Sequence, residues 1–176
     1  AFRAQKYMIS SVRWPAFGDV HGEGLLLTPL ERFFERSSMD PALMKRYGLI
    51  PTTNRMEIDV IAIPDADQTP EQIAGLAEGV PAESQFARRL AESGCRVLIP
   101  TLISREMGGR KVQHTDRGAG LSNREFLYRS AFELGRHLIG YEVQKVLAAV
   151  DWFEREAATN SIQDPKSAGA SGRNSI

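Results

Sequence analysis

Two short apolar runs constrain this chain more than any other feature. In "MEIDVIAIPD" the residues Ile58, Val60, Ile61, Ala62 and Ile63 form a nearly continuous run of strand formers that stops at Pro64. In "CRVLIPTLI" a second run of the same kind follows Cys95 and ends in a loop at Ser104. Runs without polar alternation fit strands buried on both faces, as in a parallel sheet covered by helices. Between them lies "PAESQFARRLAESG", where Ser84, Phe86, Ala87, Leu90 and Ala91 follow a helical pattern and Gly94 is a helix stop. Strand, helix and strand in this order make a βαβ unit, and the expected class is α/β.

The remaining segments fall around that unit. "VRWPAFGDVHGEGLLLTP" holds two short stretches of β-formers broken by Gly18 and Gly22 and closed by Pro29, which predicts a hairpin of edge strands. Leu30, Phe33 and Phe34 predict a short helix before the Ser-Ser-Met-Asp-Pro break. A long polar loop, "SREMGGRKVQHTDRGAGLSN", precedes a helical region that begins near Asn123 as a candidate N-cap. There Ile139, Val143, Val146, Val150 and Phe153 step by four, three, four and three, which predicts one broad buried face. Leu134, Leu138, Tyr141, Lys145 and Ala149 form a less uniform neighbouring stripe, and Gly135 and Gly140 predict a bend or a close backbone contact. Beyond Glu156 the Ala, Ser, Gly and Asn of "AATNSIQDPKSAGASGRNSI" read as a flexible tail.

Composition narrows the function classes. The chain has 176 residues, enough for one domain, and 22 Lys plus Arg balance 22 Asp plus Glu. No net field favours nucleic acid or an anionic membrane, and no run reaches the roughly 18 apolar residues of a membrane span, so a soluble protein is expected. Cys95 is the single cysteine, so no internal disulfide forms. "AFRAQKYMISS" has no basic-then-apolar signal pattern and no initial Met. Two readings stand here: a leader already removed, as in a secreted or periplasmic protein, or a piece of something longer.

The chemistry-bearing residues are sparse. His21, His114 and His137 have neither i, i+4 spacing nor a cysteine partner, so no metal or cofactor is expected. Cys95 starts a strand with only Arg96 as a basic neighbour. No G-x-S-x-G elbow occurs, and Gly75 and Gly79, or the "GAG" at 118–120, match no phosphate loop. What remains is "IPDADQTPEQIAGL", directly after the first buried strand. Ligands of open α/β sheets bind beyond the carboxyl ends of strands. Asp65 and Asp67 there are either solvated turn formers or part of a loop whose backbone N–H groups face an oxyanion.

Taken together, "GEGLLLTP", "DVIAIPDADQTPEQIAGL", "CRVLIPTLISRE" and "REFLYRSAFELGRHLIGYEVQKVLAAVDWF" resemble the N-terminal half of an α/β-hydrolase. The resemblance is to the branch of dienelactone hydrolases and acetyl xylan esterases, common in bacterial proteins, and it extends to about Phe153. Its most specific part is an Arg ahead of Leu-Gly-X-X-Leu-X-Gly and an apolar helix ending in Val-Asp-Trp. It implies an incomplete α/β-hydrolase fold: the N-terminal strands and flanking helices of a mostly parallel sheet over 1–156, with 157–176 leading to a missing nucleophile strand. By position, Ala66 or Asp67 matches the backbone of the oxyanion hole, although Asp65-Ala66 replaces the His-Gly of many members. The helix at 140–153 matches the one before the nucleophile strand, so the nucleophile, acid and histidine of a Ser-His-acid triad lie beyond it and no catalytic residue is expected here.

The resemblance further implies that the whole protein hydrolyses a small-molecule carboxylic ester. It also implies that this chain alone is inactive and self-associates through an exposed sheet edge at "DVIAI". Two readings compete with it: a complete, non-catalytic α/β binding or interaction module, and a nucleotide-binding α/β domain.

Overall fold

The computed structural model describes residues 2–30, 32, 58–107 and 121–163. Its strands are β1 (Phe2–Arg3), β2 (Tyr7–Phe17), β3 (Val20–Pro29), β4 (Asp59–Ile61) and β5 (Arg96–Pro100). Its α-helices are α1 (Pro70–Ile73), α2 (Phe86–Glu92), α3 (Asn123–Glu133) and α4 (Leu138–Gln163), and Ala82–Ser84 forms a 3-10 turn before α2. The five strands form one sheet in the order β1-β2-β3-β5-β4.

The βαβ reading holds: β4 and β5 pair in parallel, with Val60 opposite Val97, and α1 and α2 lie between them in sequence. The expectation of a mostly parallel sheet is corrected. β1 with β2, β2 with β3, and β3 with β5 are all antiparallel, because the N-terminal hairpin joins the βαβ unit through β3. The hairpin forms where the sequence places it, across a two-residue loop that Gly18 opens at φ 49°. Neither strand lies at the sheet edge expected of it: β2 lies between β1 and β3, and β3 lies between β2 and β5. Pro15 sits beside a register shift between Pro15 and Phe17, where a residue without an N–H is tolerated.

Side-chain alternation builds two layers on the sheet. Val97, Ile99, Leu25 and Leu27 point to one face and pack with Ile73, Ala74, Ala87 and Ala91 of the crossover. Leu98 points to the other and packs with Trp14, Ala149 and Phe153. Every residue of β5 is buried, as its sequence predicts. β4 is different. It is short, half-buried and terminal in the sheet, with Ile58 and Ile63 exposed, so it is not covered on all sides as its run implies.

Several helix boundaries and faces were left open or placed differently by the sequence. α2 turns Ala87 and Ala91 to the sheet while Phe86 is exposed, because small residues let the helix approach β5 closely. The N-cap of α3 is Ser122, whose hydroxyl accepts from the Glu125 N–H, rather than Asn123. The long helical region is two helices, divided at Gly135 with φ 68°, while Gly140 lies within α4 with open space beside it. α4 rests on the sheet through Ala149 and Phe153, one residue from each predicted stripe, while Ile139, Val143 and Val150 of the more uniform stripe face outward. The helix continues through Gln163, past the change of composition at Glu156. The helix expected at Phe33 and Phe34, and most of the polar loop with His114, lie outside the described residues.

Candidate functional site

Because β4 and β5 run in parallel, the chain segments after them emerge at the same end of the sheet. The first, from Ala62 to Thr69, is a set of local hydrogen bonds. The Ala62 N–H donates to the Leu98 carbonyl at 2.8 Å and continues the pairing with β5. Gln68 N–H donates to the Asp65 carbonyl at 2.9 Å, closing a turn. The Asp65 N–H donates to Gln68 Oε1 at 3.2 Å. Thr69 then starts α1 with a capping box: its hydroxyl accepts from the Gln72 N–H while Gln72 Oε1 accepts from the Thr69 N–H. Pro70 at the first helical position needs no N–H partner.

Both predicted oxyanion residues sit on this turn. The Ala66 N–H donates to Asp65 Oδ1 at 2.6 Å, so the preceding side chain already holds it. Among the described residues the Asp67 N–H has no acceptor, and the Asp67 carboxylate accepts instead from Arg105 Nη1 at 3.2 Å. That exposed contact joins the loop after β4 to the loop after β5.

The loop after β5 is held by an ion pair between helices. Arg124 of α3 donates from Nη1 and Nη2 to both carboxylate oxygens of Glu142 in α4, each at 2.6 Å. The pair also grips the main chain at Ile103: its N–H donates to Glu142 Oε1 at 3.3 Å, and its carbonyl accepts from Arg124 Nη1 at 3.3 Å. Burial would raise the Glu142 pKa, but the bonds from Arg124 and from the Ile103 N–H outweigh it and hold the carboxyl below its usual range. Beside this clamp, Arg105, Met107, Tyr128, His137, Leu138 and Ile139 line much of an open concavity of about 570 Å³. The His137 ring meets Tyr128 edge-on at 5.4 Å, and its Nδ1 accepts from the Ile139 N–H at 3.3 Å.

The structure brings Asp65, Ala66, Asp67 and Arg105 to one end of the sheet, with His137 lining the concavity beside Arg105, and places His21 and Cys95 elsewhere. His21 lies in the hairpin, where its Nδ1 donates to the Asp19 carbonyl at 3.0 Å. Cys95 is a half-buried free thiol just before β5. Among the described residues, no group of three or more His, Cys, Asp or Glu side chains is arranged to hold a metal ion. No described helix is long and apolar enough to cross a membrane.

Sequence reasoning missed Arg96. It is 1% exposed and donates from Nε and Nη2 to the two carboxylate oxygens of Asp59, at 2.9 and 2.7 Å, and from Nη1 to Glu156. Its guanidinium also lies over the rings of Phe153, at 4.6 Å, and Trp152, at 5.6 Å. The signal was present: "IDVI" and "CRVL" each carry one charge at the start of an apolar run, of opposite sign. Asp59 and Arg96 are register partners in the parallel pair.

No protein-family model matches the chain, and no curated protein matches it. Among solved structures, the chain is similar to a Bacteroides fragilis protein described as a "putative acetyl xylan esterase", at 14% sequence identity with a TM-score of 0.54. The match covers 87% of this chain and 36% of that one, so the chain spans about a third of the length of the structure it matches. The likeness is one of fold: a mixed α/β sheet with flanking helices, corresponding to part of an esterase-like hydrolase fold.

Proposed function

We propose that residues 1–163 form the N-terminal part of a serine-type α/β-hydrolase that cleaves small-molecule carboxylic esters. In this reading the loop at 64–69 supplies one backbone N–H to the oxyanion, and the nucleophile, acid and histidine come from sequence outside this chain. The observation that carries the reading is the strand arrangement: β4 and β5 run in parallel at the end of the sheet, with β4 terminal and its following loop at the carboxyl end. The partial match to the Bacteroides fragilis structure supports the same reading.

Of the two oxyanion candidates, Asp67 is favoured because its N–H is uncommitted while that of Ala66 is held by Asp65. A tetrahedral oxyanion needs donors that are preorganised and not already satisfied. The outer edge of β4 would take the nucleophile strand, and in its absence this edge recruits a strand from another chain. The partners are then an ester substrate in the whole protein and self-association in the chain alone.

The test is acyl transfer itself. The whole protein should hydrolyse a simple aryl acetate and be labelled by a serine-reactive fluorophosphonate at a residue outside 1–176. The 176-residue chain should do neither. Stoichiometric labelling of a serine within 1–176, with ester turnover lost on its mutation to Ala, would overturn the proposal.

A further inference from the structure

We propose that the outward face of α4 is a homodimer interface, on which α4 of a second copy packs antiparallel about a two-fold axis near Lys145. The proposal does not rest on the hydrolase reading. α4 meets the sheet side through Ala149 and Phe153, with Ala148 and Trp152 packed beside them, Tyr141 against Phe17 and the Lys145 carbonyl on Trp14. On the opposite side Ile139, Val143, Leu147 and Val150 follow one another by four, four and three residues and are 55%, 47%, 49% and 39% exposed. Phe132 and Leu134, just before α4, are also exposed. Together these side chains present apolar surface on the order of 600 Å², larger than scattered surface residues account for and near the ~800 Å² that one partner contributes to a standard interface.

The charges at the two ends of the stripe select the occupant and its direction. Arg136 precedes Ile139 by three residues and Glu154 follows Val150 by four. Both are exposed, and neither side chain has a hydrogen-bond or ion-pair partner among the described residues. In an antiparallel two-fold pair about Lys145, Val143 lies opposite Leu147, Ile139 within one residue of the level of Val150, and Arg136 opposite Glu154. Each contact occurs twice, as an isologous interface requires. Parallel packing would instead put like charges together. The stripe is complementary to itself in one orientation, which is the property a second copy of this chain uses.

Sedimentation of the 176-residue chain across a concentration series tests this, with circular dichroism to check each variant's fold. The chain should pair through α4 whether or not the β4 edge also associates, and V143E, at an exposed position, should halve the size of the associated species while leaving the helical signal unchanged. R136E or E154R alone should weaken dimerisation about tenfold, because two ion pairs become two repulsions. The double reversal R136E/E154R should restore it. A chain monomeric at every concentration, a dimer indifferent to V143E, or a double reversal as weak as the single ones would each overturn the proposal. So would a monomer of a longer chain in which this stripe is protected from hydrogen exchange, because that would assign its cover to the same polypeptide.

Discussion

Asp59 and Arg96 face each other across the parallel pair and join two carboxylate oxygens to Nε and Nη2 of one guanidinium, at 2.9 and 2.7 Å. Because Arg96 also reaches Glu156, this contact ties β4, β5 and α4 together. Removing one partner of a buried pair leaves an uncompensated charge, which costs about 3 kcal/mol or more. D59A should therefore lower the unfolding free energy by about 3 kcal/mol, read as a reduced urea midpoint with an unchanged slope. A loss below about 1 kcal/mol would mean that Glu156 rearranges to satisfy Arg96 without Asp59.

The same groups give a pH dependence. Burial raises the Asp59 pKa, but hydrogen bonds and charge from Arg96, and the nearby Arg32, outweigh it and hold it below its usual value. Glu142 is lowered in the same way by Arg124 and the Ile103 N–H. A carboxylate whose folded pKa lies below its unfolded value contributes stability that is complete above the unfolded pKa, near 4, and is lost as pH falls through the folded one. Stability should be flat with respect to these groups from neutral pH to about 5 and fall below about 4. In D59N/E142Q that acid limb should be shallower, as measured by urea unfolding at a series of pH values.

How much of this was legible follows from what hydrophobic pattern encodes. β5 and the crossover helix were readable because a strand buried on both faces and a helix closed by Gly94 have local signatures. β4 carried the same signature as β5 yet lies at the end of the sheet. A β-branched run reports that a segment suits burial and not whether the described chain provides it. On α4 the pattern offered two stripes, and the helix buries Phe153 of the more uniform one with Ala149 of the other, leaving Ile139, Val143 and Val150 outward. The inner choice follows from shape: Ala149, fully buried beside Leu98, allows close approach, and Lys145 contributes its carbonyl to Trp14. The loop after β4 was legible as a candidate location from strand order alone, whereas the capture of the Ala66 N–H by Asp65 depends on side-chain geometry that sequence does not display.

Trp14 offers a second test of the helix docking. Its Nε1–H donates to the Lys145 carbonyl at 2.8 Å, and its indole lies across Gly22 of the paired strand. A Cβ at residue 22 would come within 2.2 Å of the indole ring, so the ring must move. G22A should displace the indole and cost about 1–3 kcal/mol through overpacking. W14F keeps most of the packing and loses one hydrogen bond, so it should cost about 1 kcal/mol. An equal effect of the two variants in denaturant unfolding would show that the hydrogen bond, and not the stacked fit, dominates.

The capping box at Thr69 connects local structure to the candidate site. Its reciprocal bonds with Gln72 start α1 immediately after the turn that carries Ala66 and Asp67, so the turn is fixed from its C-terminal side. Loss of an N-cap hydroxyl costs about 1 kcal/mol. T69A should lower global stability by no more than that, because α1 is only four residues long. Its larger effect should be local: faster amide exchange at Gln72 and Ile73, and broader backbone resonances at Ala66 and Asp67. T69S, which keeps the hydroxyl, should restore slow exchange at Gln72. If T69A instead leaves the 65–68 turn as ordered as before, then the Asp65 and Gln68 bonds are sufficient to hold it. The geometry of the Ala66–Asp67 backbone would then be a property of the turn alone, independent of the helix that follows.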